Sequence, residues 1–405
     1  MHTLRILLSL ALILALAATP TRVHAQTQVS ETSATHIFNE NVTFNAILQS
    51  DIAPEMAIIF FHSEQDAHTN VNLAKVTPQG EGGYLLEYIH KISDYRLRPF
   101  ANIEYRYEIT LADGNVYKSP AYLHYYDDNR FEWQSLEEAP FRVHWLAGDI
   151  SFAQNILDTA QEGLKNLQSI LPLPAPAILD IYAYADSGSL QAALSPSSSD
   201  WVAGHADPDL EVILVSLPPG PEQRLLMEQR IPHELLHIAL YQANEHGYRY
   251  IPTWLSEGLA SLVELYPNPD YQIVLEDAVQ RDSLLPIESL CSTFPRDASN
   301  ALLSYAQSAS FVQYLHATYG STGLNALIKA YNNGLSCDRG AQVALGLGLR
   351  QLERQWQRDA LSENVLASAL LNLLPWLVLL IAILLGPLLL SLQRRHSRPA
   401  TQSVA

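Results

Sequence analysis

Pro232-His233-Glu234-Leu235-Leu236-His237 is the run on which the reading of this chain turns. On a helix, residues four apart share a face and lie about one turn from each other. His233 and His237 can therefore reach a single ion, while Glu234 points toward the coordination position they leave open. Pro232 has no backbone proton to donate, which suits the first turn of such a helix or a kink within it. Twenty positions after His237, the run Trp254-Leu255-Ser256-Glu257-Gly258-Leu259-Ala260 offers a carboxylate, Glu257. A catalytic zinc site uses three protein ligands and keeps the fourth position for water. His233, His237 and Glu257 thus make a complete metal-ligand set, with Glu234 as the residue that activates the water. A purely structural zinc needs no base and closes its sphere with four protein ligands, so Glu234 argues against one.

Neighbouring residues exclude other arrangements. A metzincin places its third histidine six positions after the second, where Ala243 stands, and His246 is out of register. A protease working inside the bilayer needs its ligand helix in an apolar span, yet Glu222, Arg224, Glu228 and Arg230 precede the motif. Together the two runs resemble the gluzincins, whose HExxH motif is followed about twenty residues later by a glutamate on a second helix. More narrowly, the chain is similar to the peptidase MA-like family of exported bacterial proteins, from about Phe141 to Gln357. The resemblance implies a zinc metallopeptidase in which Glu234 takes a proton from water and passes it to the leaving amine. Aminopeptidases of that clan share Trp-Leu-x-Glu-Gly but also carry Gly-x-Met-Glu-Asn to grip the substrate amine. Nothing here matches that element, so endopeptidase action is expected.

The resemblance also implies a tyrosine that donates to the developing oxyanion. Tyr305, in Ser304-Tyr305-Ala306-Gln307-Ser308-Ala309, resembles the tyrosine-bearing helix of related aminopeptidases, and Tyr314 and Tyr319 are further candidates. With 20 tyrosines in the chain, a buried tyrosine with a satisfied hydroxyl is the plain alternative. Glu264 lies seven positions after Glu257, on the same face of the expected helix. It either orients a ligand imidazole from behind or is an ordinary solvated carboxylate. A strand over Glu211 to Leu217 is expected to run beside the cleft and pair with an extended substrate. His205, just before it, is read as a surface or hydrogen-bonded residue and left out of the site.

Outward from the motifs, nearly everything beyond Pro221 reads as helix. Before it come a strand Phe141 to Leu146, an amphipathic helix Phe152 to Leu171, and strands Ile178 to Tyr184 and Glu211 to Leu217. Strands first and helices afterwards imply an α+β domain over 140–360, zincin-like by the resemblance. Residues 26–130 read differently. The alternation in Ile103 to Leu111, the Asp113-Gly114 turn, a strand Val116 to Tyr125, and strands at Val42 to Leu48, Met56 to His62, Val71 to Lys75 and Tyr84 to Ile89 imply an all-β sandwich. It is similar to immunoglobulin or fibronectin type III modules, which bind or space. The polar stretch Tyr126 to Pro140 reads as a linker, and the serine tract 195–199 as a loop.

The two ends carry address signals. Residues 1–25 have Arg5, an apolar run and small residues before a cleavage point, as an export signal does. Residues 365–392 hold no charge and precede Arg394, Arg395 and Arg398 in a tail over 393–405, which reads as a single spanning helix with the body outside. Only Cys291 and Cys337 are present. Export leaves both where disulfides survive, so a bridge is expected, with two free thiols as the alternative. A hydrophobic fraction of 48% fits a folded protein, and a net charge of −18 argues against nucleic acid as a partner. The expected partners are a polypeptide in the envelope or outside the cell, the membrane, and an unidentified ligand of the β-sandwich. The competing class is a non-catalytic envelope receptor or scaffold with a structural metal.

Overall fold

In a computed structural model of the chain, residues 27–80, 82–194, 203–361, 373–380 and 383 are described. The chain divides into two compact units, Met1–Glu132 and Trp133–Ala405, so the boundary falls inside the stretch expected as a linker.

The first unit is all β. β1 (Gln28–Ile37), β2 (Asn41–Gln49), β3 (Pro54–Ser63), β4 (Asn70–Pro78), β5 (Gly83–Lys91), β6 (Asn102–Leu111) and β7 (Val116–Lys118) run in the order β1-β2-β5-β4-β3-β6-β7, and β8 (Tyr122–Tyr125) also pairs with β6. Alternation works as a period of two requires: Ile103, Tyr105, Tyr107, Ile109 and Leu111 are buried, and the residues between them are not. Phe44 of β2 meets Phe61 of β3 and Tyr105 of β6 with ring centroids 5.0 Å apart, although β2 is hydrogen-bonded to neither strand. The sheet therefore folds over, and its two halves face each other across an aromatic core. The Asp113-Gly114 hairpin forms, with Gly114 at φ 85°. The strand expected over Val116 to Tyr125 is broken in two. Pro120 has no amide proton for the ladder, and Ser119 turns inward so that its hydroxyl accepts the Tyr107 amide at 2.9 Å.

The second unit pairs a sheet with a helical body, the α+β order expected. Its strands are β9 (Gln134–Glu138), β10 (Phe141–Trp145), β11 (Leu179–Tyr184), β12 (Gly204–Asp207) and β13 (Val212–Ser216), in the order β12-β13-β11-β10-β9. β10, β11 and β13 are parallel, while the edges β9 and β12 run antiparallel to their neighbours. β9 lies where a linker is expected. The edge strand at this end of the sheet is β12, not the one over Glu211 to Leu217, because β13 is enclosed between β12 and β11.

The helices are α1 (Ile150–Ile170), α2 (Ser187–Ala193), α3 (Gln223–Asn244), α4 (Thr253–Val263), α5 (Pro269–Gln280), α6 (Ala298–Asn332), α7 (Cys337–Leu345) and α8 (Leu349–Trp356). α1 begins where the Asp149 carboxylate accepts the amides of Ser151 and Phe152, and it turns Phe152, Ile156 and Ala160 into the core. α6 is interrupted at Gly320, where φ is 63°. One core joins Val143, Ile181 and Ile213 of the sheet to Leu235 of α3, Leu255 of α4 and Phe311 of α6. Burying each such side chain contributes about 1.5–3 kcal/mol. Cys291 and Cys337 are bridged, with Cα atoms 6.2 Å apart.

Of the apolar segment 365–392, residues 373–380 are helical, with Leu373, Trp376 and Leu380 exposed. No helix among the described residues is long and apolar enough to cross a membrane. The rest of that segment, apart from Ile383, lies outside the described residues, as do 1–25, the serine tract 195–199 and 393–405.

Candidate functional site

α3 carries His233, Glu234 and His237, and α4 carries Glu257. Glu257 Oε2 lies 3.3 Å from His233 Nε2 and 3.7 Å from His237 Nε2, and one donor atom from each of the three residues falls within 4.8 Å of the others. On its other side α4 packs closely on α6 because Gly258 has no side chain. A Cβ there would sit 2.4 Å from Val312 Cγ2 and 2.5 Å from the Ser308 carbonyl of α6. Trp254, one turn earlier on the same face of α4 and fully buried against Phe311 and Tyr331, adds to the packing on α6.

The far side of each imidazole is also held. His233 Nδ1 donates to Glu264 Oε1 at 2.9 Å, and His237 Nδ1 is hydrogen-bonded with Ser256 Oγ at 3.2 Å. In the neutral imidazole that keeps its proton on Nδ1, the Nε2 lone pair of each residue faces the point where Glu257 Oε2 also converges. Two imidazole nitrogens and a carboxylate oxygen suit zinc, so the donor set fits the metal expected.

Glu264 is not on the helix face the sequence implies. α4 ends at Val263, and Glu264 is the cap residue in extended conformation. Its position traces back to Pro232. Within α3, the carbonyl of Glu228 would normally accept the amide of residue 232, which proline lacks; the amide of Leu265 donates to it instead, at 2.9 Å. Asn166 of α1 donates to the Val263 carbonyl at 2.9 Å. The backbone on either side of Glu264 is thus tied down one turn from His233.

Electrostatics follow from burial. Burial raises the Glu234 pKa to about 7, against the charge of His233 and the amide of Ala206, which donates to the carboxylate. Burial also lowers His237 to about 4. His233 is driven down by burial but held well above the ordinary imidazole value by its hydrogen bonds to Glu257 and Glu264. Burial would raise Glu257, yet the His237 charge and its contacts with His233 leave it lowered, whereas Glu264 stays raised. Tyr248, which hydrogen-bonds Ser256, is pushed by burial to about 12.

A cavity of about 260 Å³ opens beside His233 and Glu234, and Tyr305 and Tyr271 both line it. Burial raises both phenols, and Glu257 adds to the shift. Tyr314 instead donates to Asp359 at 3.3 Å, and neither it nor Tyr319 lines that cavity. The opposite wall is β12. A Cβ on Gly204 would fall 2.4 Å from Glu234 Oε1, so with glycine here the edge strand passes close to the carboxylate without displacing it.

Gly204, Ala206, Ser256, Tyr271 and Arg230 reach the site without having been singled out for it. Ser256 lies inside the run that carries Glu257, and its small hydroxyl next to a ligand is the one local signal among them.

The sequence model of the Peptidase MA superfamily matches residues 159–362, which include every residue of this site. Among curated proteins, no match is found. Solved structures with some likeness include an aminopeptidase N family protein from Idiomarina loihiensis, at 6% identity and TM-score 0.39 over 79% of this chain and 74% of that one. A purple acid phosphatase from yellow lupin (Lupinus luteus) seeds gives 9% identity and TM-score 0.23 over 48% and 35%. A polysaccharide deacetylase from Bacillus cereus gives 10% and 0.20 over 42% and 58%. Likeness at this level speaks to neither substrate nor chemistry, but the family match covers half of the chain, and the chain belongs to the Peptidase MA superfamily.

Proposed function

We propose that this protein is a membrane-anchored, extracytoplasmic zinc peptidase that cuts internal bonds of polypeptides. The observation that carries this reading is the convergence of His233, His237 and Glu257 beside the buried carboxylate of Glu234. When bound, zinc supplies a Lewis acid that polarises the scissile carbonyl and makes water at the site more acidic. Glu234 accepts the proton of the attacking water and returns it to the leaving amine, with the Ala206 amide fixing its carboxylate. Tyr305 keeps its hydroxyl proton through the neutral range, because burial raises its pKa, and donates it as a hydrogen bond to the oxyanion. The edge strand β12 offers its outward backbone groups, apart from the Ala206 amide held by Glu234, to an extended peptide lying along it.

The apolar segment 365–392 followed by arginines supports single-pass anchoring with the catalytic unit outside, and the Cys291–Cys337 bridge agrees with an oxidising compartment. In this reading the N-terminal β unit binds or spaces. The test expresses the full chain, measures bound metal, and compares cleavage of a peptide library by wild type and Glu234→Gln. Both proteins are expected to retain zinc and only the wild type to cut, with turnover lower in the variant by roughly a thousandfold. If both hold zinc and neither cuts, the non-catalytic receptor or scaffold replaces the peptidase.

A further inference from the structure

Arg230 lies on α3, one turn before His233, and lines the same cavity as His233, Glu234, Gly204 and Tyr305. One of its terminal nitrogens, Nη1, donates to the carbonyl of Ser216 at the end of β13. Among the described residues, no carboxylate forms an ion pair with it. A guanidinium carries five N–H donors in a planar fork, and a single backbone carbonyl engages only part of it. Burial pulls the Arg230 pKa down, and the charge of Glu234 offsets this only in part. A partly desolvated cation with no directly bonded anion is costly, and the group that best repays the cost is a planar carboxylate bound by two parallel hydrogen bonds. Of the acidic groups on the cavity wall, Glu264 is bonded to His233, and Glu234, although its charge acts on Arg230, forms no hydrogen bond or ion pair with it among the described residues.

We propose that Arg230 sets the specificity of this site by receiving a carboxylate of the substrate, either an acidic side chain next to the scissile bond or the free C-terminus. This deepens the peptidase reading and rests on it. A basic side chain in the cavity is repelled by the guanidinium, and a neutral one leaves the guanidinium unpaired. The bond to Ser216 fixes the fork against the sheet, so discrimination comes from a preset geometry rather than from a mobile surface charge.

Two measurements on the full chain test this. In the first, wild type cleaves paired peptide pools that differ only in Glu or Gln at each position, each made with free and amidated C-termini. A preference of about ten- to hundredfold for Glu at one position beside the cut assigns the carboxylate to a side chain. Cleavage confined to chain ends and lost on amidation assigns it to the terminus. No preference in either comparison overturns the proposal, and because this arm varies only the substrate, it does not depend on how a variant folds. In the second, end-blocked and free-ended Glu and Gln peptides are titrated against the zinc-loaded Glu234→Gln protein, with and without Arg230→Gln. The carboxylate preference is expected to vanish in the double variant and to survive in part with Arg230→Lys. A preference unchanged by Arg230→Gln overturns the proposal, as does equal binding of the acidic and neutral peptides with Arg230 intact. This arm reads the carboxylate site even if nothing is cut, so a failed peptidase reading is told apart from a failed assignment of Arg230. A uniform loss for all peptides in Arg230→Gln points to an effect through Glu234 and also overturns it.

Discussion

The Nδ1 contacts of the two histidines decide whether their Nε2 atoms are usable, so the residues behind the ligands matter nearly as much as the ligands. Glu264 is 5% exposed and bonded to His233. Replacing it with Gln keeps an acceptor but removes the charge that favours the Nδ1 proton. Metal affinity is expected to fall about ten- to hundredfold, measured by competition with a chromogenic chelator, and an unchanged affinity refutes the role. Gly204→Ala acts on the opposite wall. Its methyl group would lie 2.4 Å from Glu234 Oε1, so the carboxylate or the strand must shift. Turnover is expected to drop at least tenfold while bound metal stays constant, because a displaced base no longer meets the water. Sequence discloses the first layer of this site well. His233, Glu234 and His237 follow from helical spacing alone, and Glu257 from its distance and its run. Gly204 is hidden because it comes against Glu234 from a segment distant in the chain, whereas Ser256 and Arg230 stand beside the motif residues and only the fold shows what they touch, His237 and the Ser216 carbonyl. Glu264 is reached for the wrong reason, since it acts from beyond the end of α4 and not from its face.

Elements fail to show in the sequence where they face water. The three strands that pattern does not reveal, β1, β9 and β12, are all edges of their sheets. Edge strands carry polar and charged residues that discourage pairing with other chains, and this dilutes the alternation by which strands are recognised. β9 reads Gln-Ser-Leu-Glu-Glu, which composition assigns to a linker. The ligand helix shows the reverse case, a visible residue whose consequence is not visible. Pro232 reads as a kink or a first turn, yet its effect is to free the Glu228 carbonyl for Leu265. In Pro232→Ala the restored amide competes for that carbonyl, and the segment bearing Glu264 loses an anchor. The helix itself gains, since proline in a helix interior costs about 3 kcal/mol relative to alanine. The expected outcome is a split in which metal affinity falls about tenfold while thermal stability holds or rises. Affinity unchanged beside raised stability means that the Leu265 contact does not position Glu264.

At the scale of the molecule, the two units carry different sensitivities and different reporters. All six tryptophans lie in Trp133–Ala405, so tryptophan emission follows that unit alone. Its Cys291–Cys337 bridge spans 46 positions, and opening it is expected to cost about 2–4 kcal/mol, seen as a fall in the tryptophan-detected melting temperature on reduction. The first unit has no disulfide but buries histidines. His90 is 2% exposed beside Phe61, and its Nε2 donates to the Tyr95 carbonyl at 2.7 Å; burial lowers its pKa, although that carbonyl and Asp94 oppose the shift. His124 is lowered by burial and by His36, whose Nδ1 lies 2.9 Å from its Nε2. In the unfolded chain both titrate near about 6.5. Below that value the unfolded state binds protons that the folded unit refuses, so stability fully present above about pH 6.5 is lost as pH falls through the depressed folded values. Between about pH 6.5 and 5, ahead of the carboxylates, the far-UV transition that tryptophan does not report is expected to move to lower temperature. His90→Gln with His124→Gln should flatten that dependence. A transition that rises on acidification, or a slope the double substitution leaves intact, would show that the buried imidazoles are not its source.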